Sequence, residues 1–282
     1  MDLSLVIPCY NDIAQIPSVV SSASEILVAS GLKYEIIVVD DGSSPPLSLA
    51  AQHSGIHIMR HPYNKGYGAA LKTGAIAAKG EYLLYMDGDG QHAPADIALF
   101  LSSLGTYDMI VGARSRQASA LRGLGKVFLH HFAHYLLERP IPDLNSGFRL
   151  IRRNLVIKYM HLLPDTFSFT TTITMALFKA GYTVTYVPIT IRERKSGKSS
   201  IRPFRDGFRF VMLMIRMTML FNPLKVFLPA SMLLFAIGIP LLLYRIISSL
   251  QTSESALLLV IAGMLTFLFG LVADQIALLV RK

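Results

Sequence analysis

Two long apolar stretches, about residues 223–247 and 256–280, constrain this chain more than any other feature, because only eight residues, SSLQTSES, separate them. Each approaches the roughly 20 residues that a helix needs to cross a bilayer, and so short a link implies an antiparallel transmembrane hairpin. The bulk numbers agree: 52% of the chain is hydrophobic against 16% charged, with a mean hydropathy of +0.47. Directly before the hairpin, eight basic residues (Arg192, Arg194, Lys195, Lys198, Arg202, Arg205, Arg209 and Arg216) face two acids, Glu193 and Asp206. Such a cluster is attracted to anionic headgroups by about 1 kcal/mol per charge, so the net charge of +9 is expected to serve a membrane and phosphate-bearing ligands. No nucleic-acid motif accompanies it, and no nucleic-acid partner is expected. Residues 204–221 interleave Arg205, Arg209 and Arg216 with large apolar side chains, the pattern of an interfacial helix. The loop between the spans carries no Lys or Arg, whereas the preceding segment and Arg281-Lys282 do. The positive-inside rule then puts the rest of the chain in the cytoplasm, as a multi-pass protein of the cell membrane. An intramembrane carboxylate normally needs a partner, so Asp274 is expected to pair with Lys225.

The remaining residues, at 282 in total, suffice for one α/β domain plus this smaller unit. Short β-branched apolar runs at 3–7 and 35–39, and strand-like runs at 57–61 and 81–87, alternate with helical stretches near 13–30 and 66–78, which reads as a layered α/β sheet of buried parallel strands. Further strands are expected at 108–113 and 183–191, with helices at 124–138 and 168–180. The division is thus 1–200 for a catalytic domain, 201–222 for a juxtamembrane helix and 223–282 for the hairpin. The single Cys9 leaves no internal disulfide and no Cys-based zinc site, and the first residues enter a strand without the regions of a signal peptide.

The strongest chemical signal is MDGDGQH, where Asp87 and Asp89 follow an apolar strand. Oxygen ligands so spaced suit Mg²⁺ or Mn²⁺, with water and a diphosphate completing the shell; an Asx-type turn is the plainer alternative. Gln91 and His92 stand next to the pair. VVDDGS ends a second strand with Asp40 and Asp41, and IPCYND ends the first with Asp12. In a parallel sheet these ends share one edge, where open α/β sheets bind ligands, so Asp12, Asp41, Asp87 and Asp89 are expected around one crevice. Four carboxylates there would repel unless a cation or hydrogen-bonding sugar and base groups sat among them. NKGYGAALKTG (64–74) is a glycine-rich helix entry, readable either as a phosphate cradle or as a tight turn with close packing.

In order and spacing, IPCYND, VVDDGS, NKGYGAALKTG and MDGDGQH resemble the successive motifs of family 2 glycosyltransferases, whose nucleotide-sugar-binding fold is called GT-A. DLNSGFR (143–149), Val187-Pro188 and RKSG (194–197) are similar to the branch with dolichyl-phosphate mannose synthases and bacterial polyprenyl-phosphate glycosyltransferases. The resemblance implies that Pro8, Tyr10, Asp12, Asp41, Asp87 and Gly88 line the nucleotide-sugar pocket, and that Asp87, Asp89 and Gln91 surround the metal and diphosphate. It implies that Arg114 and Arg194 hold phosphate at the reacting centre beside Asp89, with Arg122, Ser146, Arg149 and Lys195 as further candidates for the lipid phosphate. Asp12 departs from the Glu common in the family.

The expected activity is inverting transfer of a sugar from a nucleotide-sugar, of GDP-mannose or UDP-glucose type, to an undecaprenyl or dolichyl phosphate. A lipid phosphate is already anionic near neutral pH, so arginines that position it can replace a general base. Rival readings are a polysaccharide acceptor and a catalytically silent scaffold; a processive synthase would usually carry a Gln-x-x-Arg-Trp motif, and this chain has no Trp. A homo-oligomer is left open.

Overall fold

The structure is a computed structural model, and it describes residues 1–48, 55–114, 142–143, 145–191, 212, 215–216, 218–219, 221–249 and 253–280. The expected helix at 124–138 lies outside them, as does most of 201–222, of which positions 212, 215, 216, 218, 219 and 221 are described and helical. The chain divides into two compact units, residues 1–120 with 141–199, and 121–140 with 200–282.

In the first unit, β1 (Leu3–Cys9), α1 (Ile16–Ala29), β2 (Tyr34–Asp40), β3 (Ile56–Arg60), α2 (Tyr67–Ala77) and β4 (Tyr82–Tyr85) alternate as expected. The short α3 (Ile97–Leu101) and β5 (Met109–Arg114) follow, then β6 (Arg149–Arg152), α4 (Arg153–Tyr159), α5 (Phe169–Lys179) and β7 (Val184–Ile189). The strands form one seven-stranded sheet in the order β3-β2-β1-β4-β6-β5-β7. Its pairings are parallel except that β6 runs antiparallel to both β4 and β5. The sheet is therefore mixed, and β6 escapes a sequence reading because RLIR has only four residues, with an arginine at each end.

Side chains alternate across the pleat into two cores. Leu3, Leu5 and Ile7 of β1 pack with Ile16, Val20, Ala23 and Leu27 of α1 on one face. Val6, Ile37 and Val39 pack with α2, α4 and α5 on the other. Each fully buried Leu, Ile or Phe contributes about 1.5–3 kcal/mol, so two dry layers hold the central strands. A buried acid lies among them. Glu35, 2% exposed, accepts hydrogen bonds from Ser4 Oγ at 2.6 Å and from the Lys79 N–H at 2.6 Å, which offsets its desolvation.

In the second unit, α6 (Leu224–Ser249) and α7 (Glu254–Val280) are long and apolar enough to cross a membrane and pack against each other. Ala256, Gly263, Gly270 and Ala277 recur every seven residues along α7, and all four are buried. A seven-residue repeat keeps one seam facing the partner helix, and small residues let two apolar helices approach closely. Gly263 faces Leu234 and Phe235, while Gly270 faces Leu224 and Phe227. Asp274 follows Gly270 by one turn, within the apolar stretch Glu254–Leu279. The ion pairs of the described residues do not include the expected one between Lys225 and Asp274.

Candidate active site

β2, β1 and β4 lie side by side and parallel, so the loops that leave them emerge along one edge. The first two loops are stitched together. Asn11 adopts a left-handed conformation (φ 58°), which Asn tolerates better than most residues. Its N–H donates to Ser43 Oγ at 3.0 Å, and its side-chain oxygen accepts from the Ser44 N–H at 3.0 Å. Pro8 is buried within β1, Tyr10 is 48% exposed and Asp12 half-buried. The IPCYND loop, where the nucleotide pocket is expected, thus stands beside the VVDDGS loop.

Asp41 is more enclosed than a pocket-lining residue. It is 3% exposed, and its carboxylate accepts the Lys65 N–H at 2.8 Å, the Gly66 N–H at 2.9 Å and His61 Nδ1–H at 2.6 Å. His61 Nε2 reaches Thr73 Oγ1 of α2 at 2.9 Å. Asp41 therefore holds the entry of α2 from beneath. The glycines of that entry serve close packing: a Cβ on Gly68 would collide with the backbone carbonyls of Pro164 and Thr166. The first N–H groups of the helix, from Gly68 and Ala69, donate to the Asp165 carbonyl at 3.0 and 3.3 Å. Between the two open readings of NKGYG, the structure shows the tight turn, with the helix end already satisfied by chain.

The strand before MDGDGQH stops at Tyr85, so Asp87 and Asp89 lie in the loop and not on the strand. Asp87 Oδ1 accepts the Tyr67 hydroxyl at 2.7 Å, and Oδ2 lies 3.1 Å from His92 Nε2. Burial alone would raise the Asp87 pKa. The His92 hydrogen bond and charge, the Tyr67 hydroxyl and Arg149 together outweigh it and hold the carboxyl below its ordinary range. Tyr67 moves the opposite way, since burial and the Asp87 charge keep its hydroxyl protonated as a donor. Gly147 seats the next loop on this pair, because a Cβ there would strike both Asp87 oxygens and the Tyr67 hydroxyl. Asp89 is half-buried and accepts the Gln91 N–H at 3.0 Å, a local Asx turn. Gln91 is also half-buried, and Gly88 packs over Pro8 and Ile16.

At the end of β5, Arg114 donates through Nε and Nη2 to Asp143 at 2.6 and 2.9 Å, a forked pair that fixes the guanidinium plane. Arg149 does not face the opening. It is 0% exposed and donates to the Ser146 carbonyl, to the Thr170 carbonyl at 2.9 Å and to Thr174 Oγ1 at 3.0 Å. A buried guanidinium so engaged pins the 143–148 loop to the start of α5; the expectation that it grips the lipid phosphate directly gives way to a positioning role. Among the described residues, Ser146 Oγ is buried without a hydrogen-bond partner. Arg122, Arg194 and Lys195 lie outside the described residues. Tyr67, His61 and Asp143 were not singled out from sequence, although NKGYG and DLNSGFR contained two of them; an aromatic within a glycine-rich helix entry was the available signal for Tyr67.

The loops after β1, β2 and β4 thus meet along one edge of an α/β sheet, with Asp87 and Asp89 there and the forked Arg114–Asp143 pair at the end of β5. Residues 4–160 match the family described as Glycosyl transferase family 2, and residues 222–279 match the GtrB C-terminal hairpin. The chain belongs to glycosyl transferase family 2. It is 27% identical over 216 residues to the polyprenol monophosphomannose synthase of Mycolicibacterium smegmatis, covering 70% of this chain and 80% of that protein. It is 28% identical over 176 residues to a dolichyl-phosphate beta-glucosyltransferase of Dictyostelium discoideum, covering 54% of each, so it spans about half the length of that relative. Among solved structures, glucosyl-3-phosphoglycerate synthase from Mycobacterium tuberculosis superposes with a TM-score of 0.60 at 20% identity, over 77% of this chain and 80% of that one. The likeness establishes the GT-A fold, and the same enzyme has been crystallised with Mg²⁺ and uridine diphosphate.

Proposed function

We propose that this protein transfers a hexose from a nucleotide-sugar to a polyprenyl phosphate at the cytoplasmic face of the cell membrane. The observation that carries the reading is the meeting, on one sheet edge, of Asp87 and Asp89 with the forked Arg114–Asp143 pair, in a chain that ends in a hairpin of two apolar helices. Relatives named for transfer to dolichyl phosphate and for polyprenol monophosphomannose synthesis support the acceptor. They leave the sugar between the mannose and glucose types.

The division of labour follows from the contacts. Tyr10 and Asp12 flank the nucleotide base, on a loop stitched to the VVDDGS turn. Asp41 acts from below by holding the α2 entry, and Asp87, oriented by Tyr67 and His92, faces the ribose and diphosphate. Among the described residues no three His, Cys, Asp or Glu side chains gather, which is unlike an all-protein metal cage. The oxygen donors present fit instead a hard cation that takes one or two carboxylates and completes its shell with diphosphate and water. Asp89, with Asp87 and Gln91, would hold Mg²⁺ or Mn²⁺ there, and the ion would neutralise charge on the departing diphosphate. Arg114, its plane set by Asp143, aligns the acceptor phosphate opposite the leaving group, together with Arg194 and Lys195 from the basic segment. Attack from that side inverts the anomeric carbon. The polypeptide is read as a catalytic domain to residue 200, a juxtamembrane helix over 201–222 and an anchor from 223.

The test is transfer from a panel of radiolabelled nucleotide-sugars to undecaprenyl or dolichyl phosphate by the detergent-purified chain, with and without Mn²⁺, beside Asp89→Ala. One donor should yield an organic-extractable product, and Asp89→Ala should lower its rate by about a hundredfold or more. Absence of product from every donor, with nucleotide binding intact, would redirect the reading to a polysaccharide acceptor or a silent scaffold.

A further inference from the structure

Phe167 is 79% exposed, more than any other large apolar side chain described outside the hairpin, yet it is held firmly. Its loop is fixed at Asp165, whose carbonyl receives the Gly68 and Ala69 N–H groups and whose carboxylate pairs with Lys72 at 2.7 Å. On the far side, Thr170 Oγ1 donates to the Phe167 carbonyl at 3.2 Å. One ring face lies on Tyr67, with centroids 5.1 Å apart and planes 16° from parallel, and the Tyr67 hydroxyl is the group that binds Asp87. Phe167 is thus two contacts from the carboxylate pair, with its other face turned to solvent. A stacked pair is worth about 0.5–1.5 kcal/mol beyond area burial, which falls short of the roughly 1.5–3 kcal/mol that full burial of a Phe yields. The fold therefore withholds a phenyl ring from its core and fixes it beside the reaction site.

We propose that the exposed face of Phe167 is a docking platform for the first isoprene units of the acceptor, next to its phosphate. This rests on the polyprenyl-phosphate reading and deepens it. The ring has no polar handle, which suits a branched hydrocarbon better than the hydroxyl-lined edge of a sugar. Its rigid mounting on Tyr67, whose hydroxyl binds Asp87, lets the lipid seat beside the carboxylate pair without first ordering a loop. Phe167 would act on acceptor binding and leave donor binding unchanged.

The experiment measures KM for undecaprenyl phosphate and for the nucleotide-sugar separately, on the full chain in detergent, for wild type, Phe167→Ala and Phe167→Leu. Phe167→Ala should raise KM for the lipid about tenfold, equivalent to about 1.4 kcal/mol, with KM for the donor within about twofold. Phe167→Leu should restore most of the loss, because it returns apolar surface without the ring, and unchanged melting of both variants would show that the fold is intact. A rise in the donor KM alone would assign the ring to the sugar and overturn the proposal, as would two unchanged KM values. If the wild-type chain transfers to no polyprenyl phosphate, the functional reading fails and this inference falls with it, an outcome distinct from a wild type that is active and indifferent to Phe167.

Discussion

At the scale of single residues, the site is organised by acids that are already satisfied before any substrate arrives. Asp143 is the clearest case. Burial raises its pKa, but the Arg114 hydrogen bonds and charge, with the Asn145 N–H, pull it further down, so it sits below the ordinary range. A carboxyl depressed in the folded state binds protons less readily than in the unfolded chain, so its contribution is complete above about pH 4 and lost as pH falls through the lower folded value. Asp143→Asn should therefore destabilise the chain at pH 7, and its deficit relative to wild type should shrink below about pH 4. Thermal melts of both proteins at pH 7 and pH 3 check this; a constant deficit across that range would contradict it. His61 belongs to the same scale. Its imidazole hydrogen-bonds Asp41 and Thr73, and its effect on the site passes through the loop it holds.

At the scale of elements, α2 decides how the site is assembled, because its first turn meets three loops at once. Asp41 holds it from the β2 side, residues 164–166 lie across it, and Tyr67 projects from it to Asp87. Any side chain at Gly68 must push the 164–166 backbone away. Gly68→Val should cost about 1–3 kcal/mol by overpacking, and it should also lower transfer activity in the surviving folded fraction, since Phe167 and Tyr67 ride on the displaced segments. Urea unfolding beside specific activity per folded molecule checks it. Loss of stability with full specific activity would show that the loop is packing alone. β6 makes a related point: its antiparallel course between β4 and β5 brings Arg149 against Tyr85 and Val111 and delivers the 143–148 loop onto Asp87.

At the scale of the whole molecule, the claim open to measurement is orientation. The loop between α6 and α7 lacks Lys and Arg, while basic residues flank the hairpin, which supports the proposed placement of the catalytic unit on the cytoplasmic side. The only cysteine, Cys9, is 3% exposed, and burial, the nearby Asp40 charge and the weaker effect of Asp12 raise its pKa to about 11 despite lowering hydrogen bonds; its labelling background should be low. A cysteine placed at Ser255, exposed at the start of α7, should react with a membrane-impermeant maleimide on intact cells. One placed at Ser18, exposed on α1, should react only after permeabilisation. The reverse pattern would invert the topology.

The local chemistry of the chain was legible in its sequence wherever the signal is itself local. Apolar runs of strand length marked β1, β2 and β4, acids after them marked the edge, and stretches near 25 residues marked the hairpin, because periodicity and hydropathy act over a few neighbouring positions. Tertiary structure alone settled what depends on residues far apart. It turned Asp41 toward the Lys65 and Gly66 N–H groups and drew Arg149 inside to carbonyls at 146 and 170. Composition could supply the acids and arginines, but a carboxylate takes whichever donors the fold brings within about 3 Å, and those donors come from segments that sequence distance does not order.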